Sequence, residues 1–272
     1  MTRVTDRWQE MIQRALLTLL MCIGVFSVHN ALAASRTSSV IVVATMHGFH
    51  KDHPGYNYAQ LYALIRDLHP DFVGVEIRPE DMSGETSYLS ANYPAEMIAL
   101  AHEYASRAFG FDWLGDDVAG RPIPTDWWTD HSPIKRLERE QNGDPKYQDT
   151  AELKAIGAKQ RDILVHATAI SLNDGRYDRL TEQHYAEIEH QLANSPYLAI
   201  SRFYSERDHR LCLNIANVIR ANPGKRFVVA TGADHRFALV KCLPRTLGHS
   251  VALLSIEAGL ADSQPRKIVR GN

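Results

Sequence analysis

Two histidines stand at the same spacing from a small residue in two distant segments. His47 closes Ala44-Thr45-Met46-His47 after the apolar run Val40 to Val43. His235 closes Gly232-Ala233-Asp234-His235 after Phe227 to Ala230. A third run, Phe72-Val73-Gly74-Val75, ends in Glu76. If the three runs are neighbouring parallel strands, their carboxyl ends bring two imidazoles and a carboxylate to one edge of one sheet. Open α/β sheets bind ligands at that edge. Two His and one Glu also form a ligand set for zinc, manganese or iron.

Each residue has its own chemical reason to be noticed. His235 falls near a helix start, where the dipole favours the neutral imidazole. Glu76 ends an apolar strand, a costly place for a carboxylate without a partner. Gly232 lets backbone approach a ligand closely. Arg207, in Glu206-Arg207-Asp208, is placed to hold an anionic intermediate or to clamp Glu76, or else belongs to a surface charge cluster. His50 and His53 follow His47. His47 and His50 can share a metal if their turn is helical, and the loop pair otherwise reads as solvated. Asp112, Asp116 and Asp117 read as loop acids, although they follow a strand and can reach the same edge. Trp127 and Trp128 read as cleft lining or as core packing. His184 and His190 are six apart, a spacing that suits no helical ligand pair.

The elements needed to position these groups can be read from periodicity. Short β-branched runs predict strands over Val40–Thr45, Phe72–Glu76, Arg226–Thr231 and Val251–Ile256, with a further strand at Ala108–Leu114. Helices are predicted over Gln60–Leu68, Pro94–Arg107, Glu206–Arg220 and Arg236–Leu243. Strand–helix–strand at this length is a right-handed βαβ unit. The stretch 134–205 reads as a polar helical insertion broken at Asn142-Gly143-Asp144-Pro145 and Asn173-Asp174-Gly175. The expectation is an α/β fold with a mostly parallel central sheet flanked by helices. The insertion would cover the site edge of a single domain over 35–258, and a polar tail over 259–272 would follow.

The chain has 272 residues, 44% hydrophobic and 23% charged, with a net charge of −2. That balance suits a folded domain and gives no electrostatic case for nucleic acid as partner. Arg3, Arg7 and Arg14 precede the apolar stretch Ala15 to Phe26, which ends near Ala31-Leu32-Ala33. This is the pattern of a signal peptide over 1–34, with cleavage after Ala33 or Ala34. The apolar core is short of a membrane span. The expected location is periplasmic or secreted, with no stable span after cleavage. Cys22 leaves with the signal. An oxidising compartment permits a Cys212–Cys242 bridge, but buried free thiols are the favoured reading. The serine nucleophile elbow, His-Glu-x-x-His, the phosphate loop and Gly-x-Gly-x-x-Gly do not occur.

Paired small-x-x-His motifs with a strand-ending glutamate between them resemble the TraB/Tiki group, which is grouped with erythromycin esterase-like and ChaN-like haem-binding proteins. The resemblance covers Val40 to Glu80 and Glu206 to Leu243, including Asn214-Ile215. Ala44 departs from it, standing where the family has Gly. The resemblance implies a two-half α/β core and a site of His47, Glu76 and His235 with Arg207 close by. Tiki proteins are metal-dependent peptidases, erythromycin esterases are hydrolases for which a metal is not a settled requirement, and ChaN-like members bind haem. The expected function is hydrolysis of a peptide, ester or amide bond of a small-molecule or peptide substrate. In a metal form, His47, Glu76 and His235 hold manganese, cobalt or zinc, which activates water. In a metal-free form, a His is the general base with Glu76 orienting it. Arg207 stabilises the oxyanion in either form. The alternatives are a haem- or metal-binding protein and a peptide-sequestering factor.

Overall fold

The computed structural model describes residues 37–263, all within one compact unit. The expected signal peptide lies outside them. Five strands are present among the described residues: β1 (Ser38–Thr45), β2 (Phe72–Val75), β3 (Ala108–Gly110), β4 (Arg226–Gly232) and β5 (Val251–Leu253). They form one sheet in the order β3-β2-β4-β1-β5, and every pairing is parallel. Nine α-helices among the described residues surround or extend it. These are α1 (Tyr58–Asp67), α2 (Thr86–Asn92), α3 (Ala95–Tyr104), α4 (Pro133–Gly143), α5 (Ala151–Val165), α6 (Arg176–Leu192), α7 (Leu198–Ala221), α8 (Ala233–Leu247) and α9 (Ile256–Ser263).

The strands are continuous apolar runs because helices cover both faces of the sheet. Val40, Val42, Phe227 and Val229 pack on one side with Leu211, Cys212, Ile215 and Ile219 of α7 and Leu239 and Leu243 of α8. Ile41, Val43, Val228 and Ala230 pack on the other with Leu61, Leu64 and Ile65 of α1 and Met97 and Leu100 of α3. Alternation along β1 and β4 thus sends successive side chains into two cores. Helix α1 starts at a capping box. Asn57 accepts from the Gln60 backbone N–H, and the Gln60 side chain accepts from the Asn57 N–H.

Several boundaries differ from the sequence expectation. Strand β3 stops at Gly110 rather than Leu114, and β5 at Leu253 rather than Ile256. Beyond Gly110 the backbone leaves the ladder at the end of β2 and follows the loop after it: Phe111 N–H donates to Val75 O and Asp112 N–H to Ile77 O. Helix α7 begins at Leu198, so the insertion has no break at 205 and runs straight into the helix that carries Arg207. Helix α8 begins at Ala233, which puts His235 inside its first turn. The segment expected as a polar tail from 259 is helical as far as Ser263, because Ile256 and Gly259 are buried against the sheet. A Cβ at Gly259 would lie 2.8 Å from Leu68 Cδ2 and 3.1 Å from Ile41 Cγ1, so a larger residue would have to displace buried side chains. The insertion is tied to the strand ends. Ala44 N–H donates to Asn173 Oδ1 at 2.8 Å, and Arg236 of α8 bonds both Val42 O and Asp178 of α6.

The favoured free-thiol reading fails, since Cys212 and Cys242 form a disulfide. It joins α7 to α8, helices already packed side by side, which brings the two sulfurs together. The bridge closes a loop of 30 residues, worth about 3.5 kcal/mol by the loop-entropy relation. Cys212→Ser should lower the unfolding free energy in urea by about that amount, and a thiol reductant should do the same to the native chain. An unchanged midpoint in both cases would show that the bridge does not constrain the unfolded chain.

Candidate active site

The strand order decides the geometry. Strand β4 lies between β2 and β1, so Gly232 at its end has Glu76 on one side and His47 on the other. The chain turns there into α8, whose first turn carries His235. Helix α7 crosses the same edge and supplies Arg207 and Asp208. The structure thus brings together all four residues singled out in the sequence: His47, Glu76, His235 and Arg207 line one cavity of about 400 Å3, together with Asp112, Tyr93 and Trp128.

Arg207 is the centre of the cluster. Its Nη2 donates to Glu76 Oε1 and to Asp112 Oδ1, each at 2.9 Å, and its Nε donates to Asp112 Oδ1 at 3.0 Å. Its Nη1 lies 3.1 Å from His235 Nε2. The second Glu76 oxygen accepts from the Thr231 hydroxyl at 3.0 Å and from Gly232 N–H at 2.7 Å. On the far side of the ring, His235 Nδ1 lies 2.6 Å from Asp208 Oδ1.

These contacts set the proton affinities. Burial alone would raise Glu76, but His235, Arg207, His47 and the Gly232 N–H outweigh it and hold the carboxyl down to about 2. Asp112 moves the other way. Burial and the Glu76 charge lift it above the usual carboxylate range despite Arg207. Burial lowers Arg207 less than Asp112 and Glu76 raise it. For His235, burial and Arg207 oppose the proton, yet Glu76 and Asp208 prevail and raise it.

His47 is held differently. It sits in a 3-10 turn, His47–His50, with φ of 48° in the left-handed region. Its Nδ1 lies 2.8 Å from Oε1 of Glu96, a fully buried carboxylate on α3. Burial lowers His47, but the Glu96 bond and the charges of Glu76 and Glu96 leave it above its usual value. No described residue hydrogen-bonds Nε2, which faces Gly232. A Cβ on Gly232 would stand 2.7 Å from Nε2, so glycine is required here for space rather than for its dihedral freedom.

The carboxylate bonded to His47 is therefore Glu96, whereas Glu76, expected to orient one of the histidines, lies 3.6 Å from His235 Nε2. Glu96 was missed, although a signal existed. It lies four residues before Leu100 on the apolar face of α3, where an acid needs a partner. Asp112, read as an ordinary loop acid, is buried in the cluster, whereas Asp116 and Asp117 are exposed outside it. His50 is neither a solvated residue nor a ligand beside His47. It is fully buried, its Nε2 accepts from Met46 N–H at 2.8 Å, and its Nδ1 lies 2.6 Å from Tyr56 O. His50 and the Tyr58 hydroxyl, which donates to His47 O, fix the turn. His53 bonds backbone of its own loop and of the end of α5. Of the tryptophans, Trp127 is core and Trp128 lines the cavity. His184 lines a separate cavity within the insertion.

The donor set does not fit a resident metal. Glu76 has both oxygens engaged, His235 has both nitrogens engaged, and a guanidinium lies where a cation would bridge them. Among the described residues no group of three or more His, Cys, Asp and Glu side chains is arranged to hold a metal ion. Of the site's two histidines, His47 Nε2 is the nitrogen without a hydrogen-bond partner among the described residues, and a haem iron would have to use it. Comparison with protein-family models, curated proteins and solved structures gives no match. The site is therefore read from its own geometry.

Glu76 links the cluster to stability. Its folded value near 2 lies below the ordinary 4.5, so its contribution is complete above pH 4.5 and is lost as pH falls toward 2. Native chain should lose more unfolding free energy across that window than Glu76→Gln does. Parallel stability curves would show that Glu76 is not held in its charged form.

Proposed function

We propose that this chain is an exported hydrolase of ester, amide or peptide bonds, similar to the TraB/Tiki group, working by general-base catalysis without a resident metal. The observation that carries the reading is the Glu96–His47 pair. A buried carboxylate holds one ring nitrogen and leaves the other unpartnered in a cavity shared with a guanidinium. That is the arrangement by which a carboxylate fixes the tautomer and orientation of a catalytic imidazole. It leaves Nε2 to take a proton from water.

The other residues have roles that follow from their contacts. His47 Nε2 removes a proton from the attacking water, and Glu96 stabilises the imidazolium that forms. Arg207, charged throughout, stabilises the oxyanion that develops on the carbonyl. Glu76 and Asp112 hold the guanidinium in place. His235, with Nδ1 on Asp208 and Nε2 beside Arg207 Nη1, braces the guanidinium, and the His47 imidazolium returns its proton to the leaving group. No helix among the described residues is long and apolar enough to cross a membrane. The basic-then-apolar pattern before Ala33 supports a periplasmic or secreted location.

A panel of aryl and alkyl esters and amides should reveal turnover, and His47→Gln should lower kcat/KM about 10²- to 10⁴-fold. The base must be neutral, so activity should fall as pH drops through the raised His47 value. Glu96→Gln removes the largest cause of that rise and should move the acid limb toward lower pH. Full turnover in His47→Gln, or an acid limb unmoved in Glu96→Gln, would contradict the assignment.

A further inference from the structure

The two imidazoles line a second cavity besides the polar one. A space of about 410 Å3 shares His47 and His235 with it and is lined mostly by apolar groups, Met46, Phe49, Leu164 and Ala233, with Asp234 paired to the Tyr177 hydroxyl at its wall. The polar cavity holds Glu76, Asp112 and Arg207. The imidazoles are the waist between an apolar chamber and a charged one. A bond placed across that waist has its two ends in chemically different surroundings.

Phe49 gives the apolar chamber a purpose. It is 72% exposed, the most exposed of the large apolar side chains described. One exposed ring is ordinary, but Phe49 lines a single cavity with Met46, Leu164 and Ala233, and such a contiguous apolar wall is a mark of ligand contact. The turn that carries it is not loose: His50, fully buried, holds Met46 N–H and Tyr56 O, and Tyr58 holds His47 O. The same turn fixes His47. Phe49 is thus presented at a set position relative to the base, which reduces the ordering cost of binding.

We propose that this chamber is the subsite for an apolar acyl or alkyl group, and that the substrate is an amphipathic ester or amide whose polar side lies over Glu76, Asp112 and Arg207. This rests on the hydrolase reading for the bond that is cut, but the subsite itself can be tested by binding alone. Straight-chain methyl ketones from butan-2-one to decan-2-one carry a carbonyl and an apolar chain and have no bond to hydrolyse. Their affinity, read by calorimetry, should rise about three- to fourfold per methylene until the chamber is full. Phe49→Asp and Leu164→Asp should each flatten that rise, and Phe49, being exposed, can be changed without touching the core. Val165→Asp is the control, since Val165 is 64% exposed but does not line the chamber. It should leave the rise intact. A wild-type affinity independent of chain length would overturn the proposal, as would an equal flattening in Val165→Asp. Chain-length-dependent binding with no turnover of the matching octanoate or acetate esters would overturn the hydrolase reading alone and leave the subsite standing.

Discussion

One buried guanidinium organises this molecule. Arg207 lies among Glu76, Asp112 and His235, with Asp208 behind the imidazole. Removing a charge of this kind from water costs several kcal/mol, and removing its partners alone would leave it stranded. The fold resolves this by bringing four elements to one point: the ends of β2 and β3, the middle of α7 and the first turn of α8. Each supplies one side of the ion-pair network. None can move far without leaving a buried charge unpaired, so this edge of the sheet is held in place by its own charges.

Around that centre the supports are of different kinds. The Cys212–Cys242 bridge lies one helical turn beyond Asp208 and two turns beyond His235, so a covalent link stands close behind the Asp208–His235 pair. The insertion is anchored from the opposite side, by Asn173 on Ala44 and by Asp178 on Arg236. His47 is fixed by hydrogen bonds of its own turn instead, which is how a non-glycine residue is kept at positive φ. Gly232 joins the two arrangements. Its N–H binds Glu76, and its lack of a side chain admits His47.

Much of this was legible in the chain. The β-branched runs at Val40 and Phe227 fixed the central strands, because strands buried on both faces need continuous apolar side chains. The strand-end positions of His47, Glu76 and His235 followed from those runs. Arg207 was legible as a candidate because it opens a polar stretch just before an apolar helical face. What was not legible depended on tertiary placement. Asp112 looks like Asp116 and Asp117 until the backbone beyond Gly110 bonds to the loop after β2 and turns it inward. Glu96 comes from a helix whose packing against His47 no local pattern encodes. His50 resembles His47 by spacing, yet a 3-10 turn sends it into the core. The disulfide needed the side-by-side placement of α7 and α8.

The central claim is that the cation of this site is Arg207 and that the Glu76 oxygens and the His235 nitrogens are already taken. Calorimetric titration of chelator-treated chain with Mn2+, Co2+ and Zn2+ tests it most directly. The expected result is no stoichiometric binding at this site. One-to-one binding that is abolished by His47→Ala, Glu76→Gln or His235→Ala would contradict it, and would require Arg207 to vacate the centre.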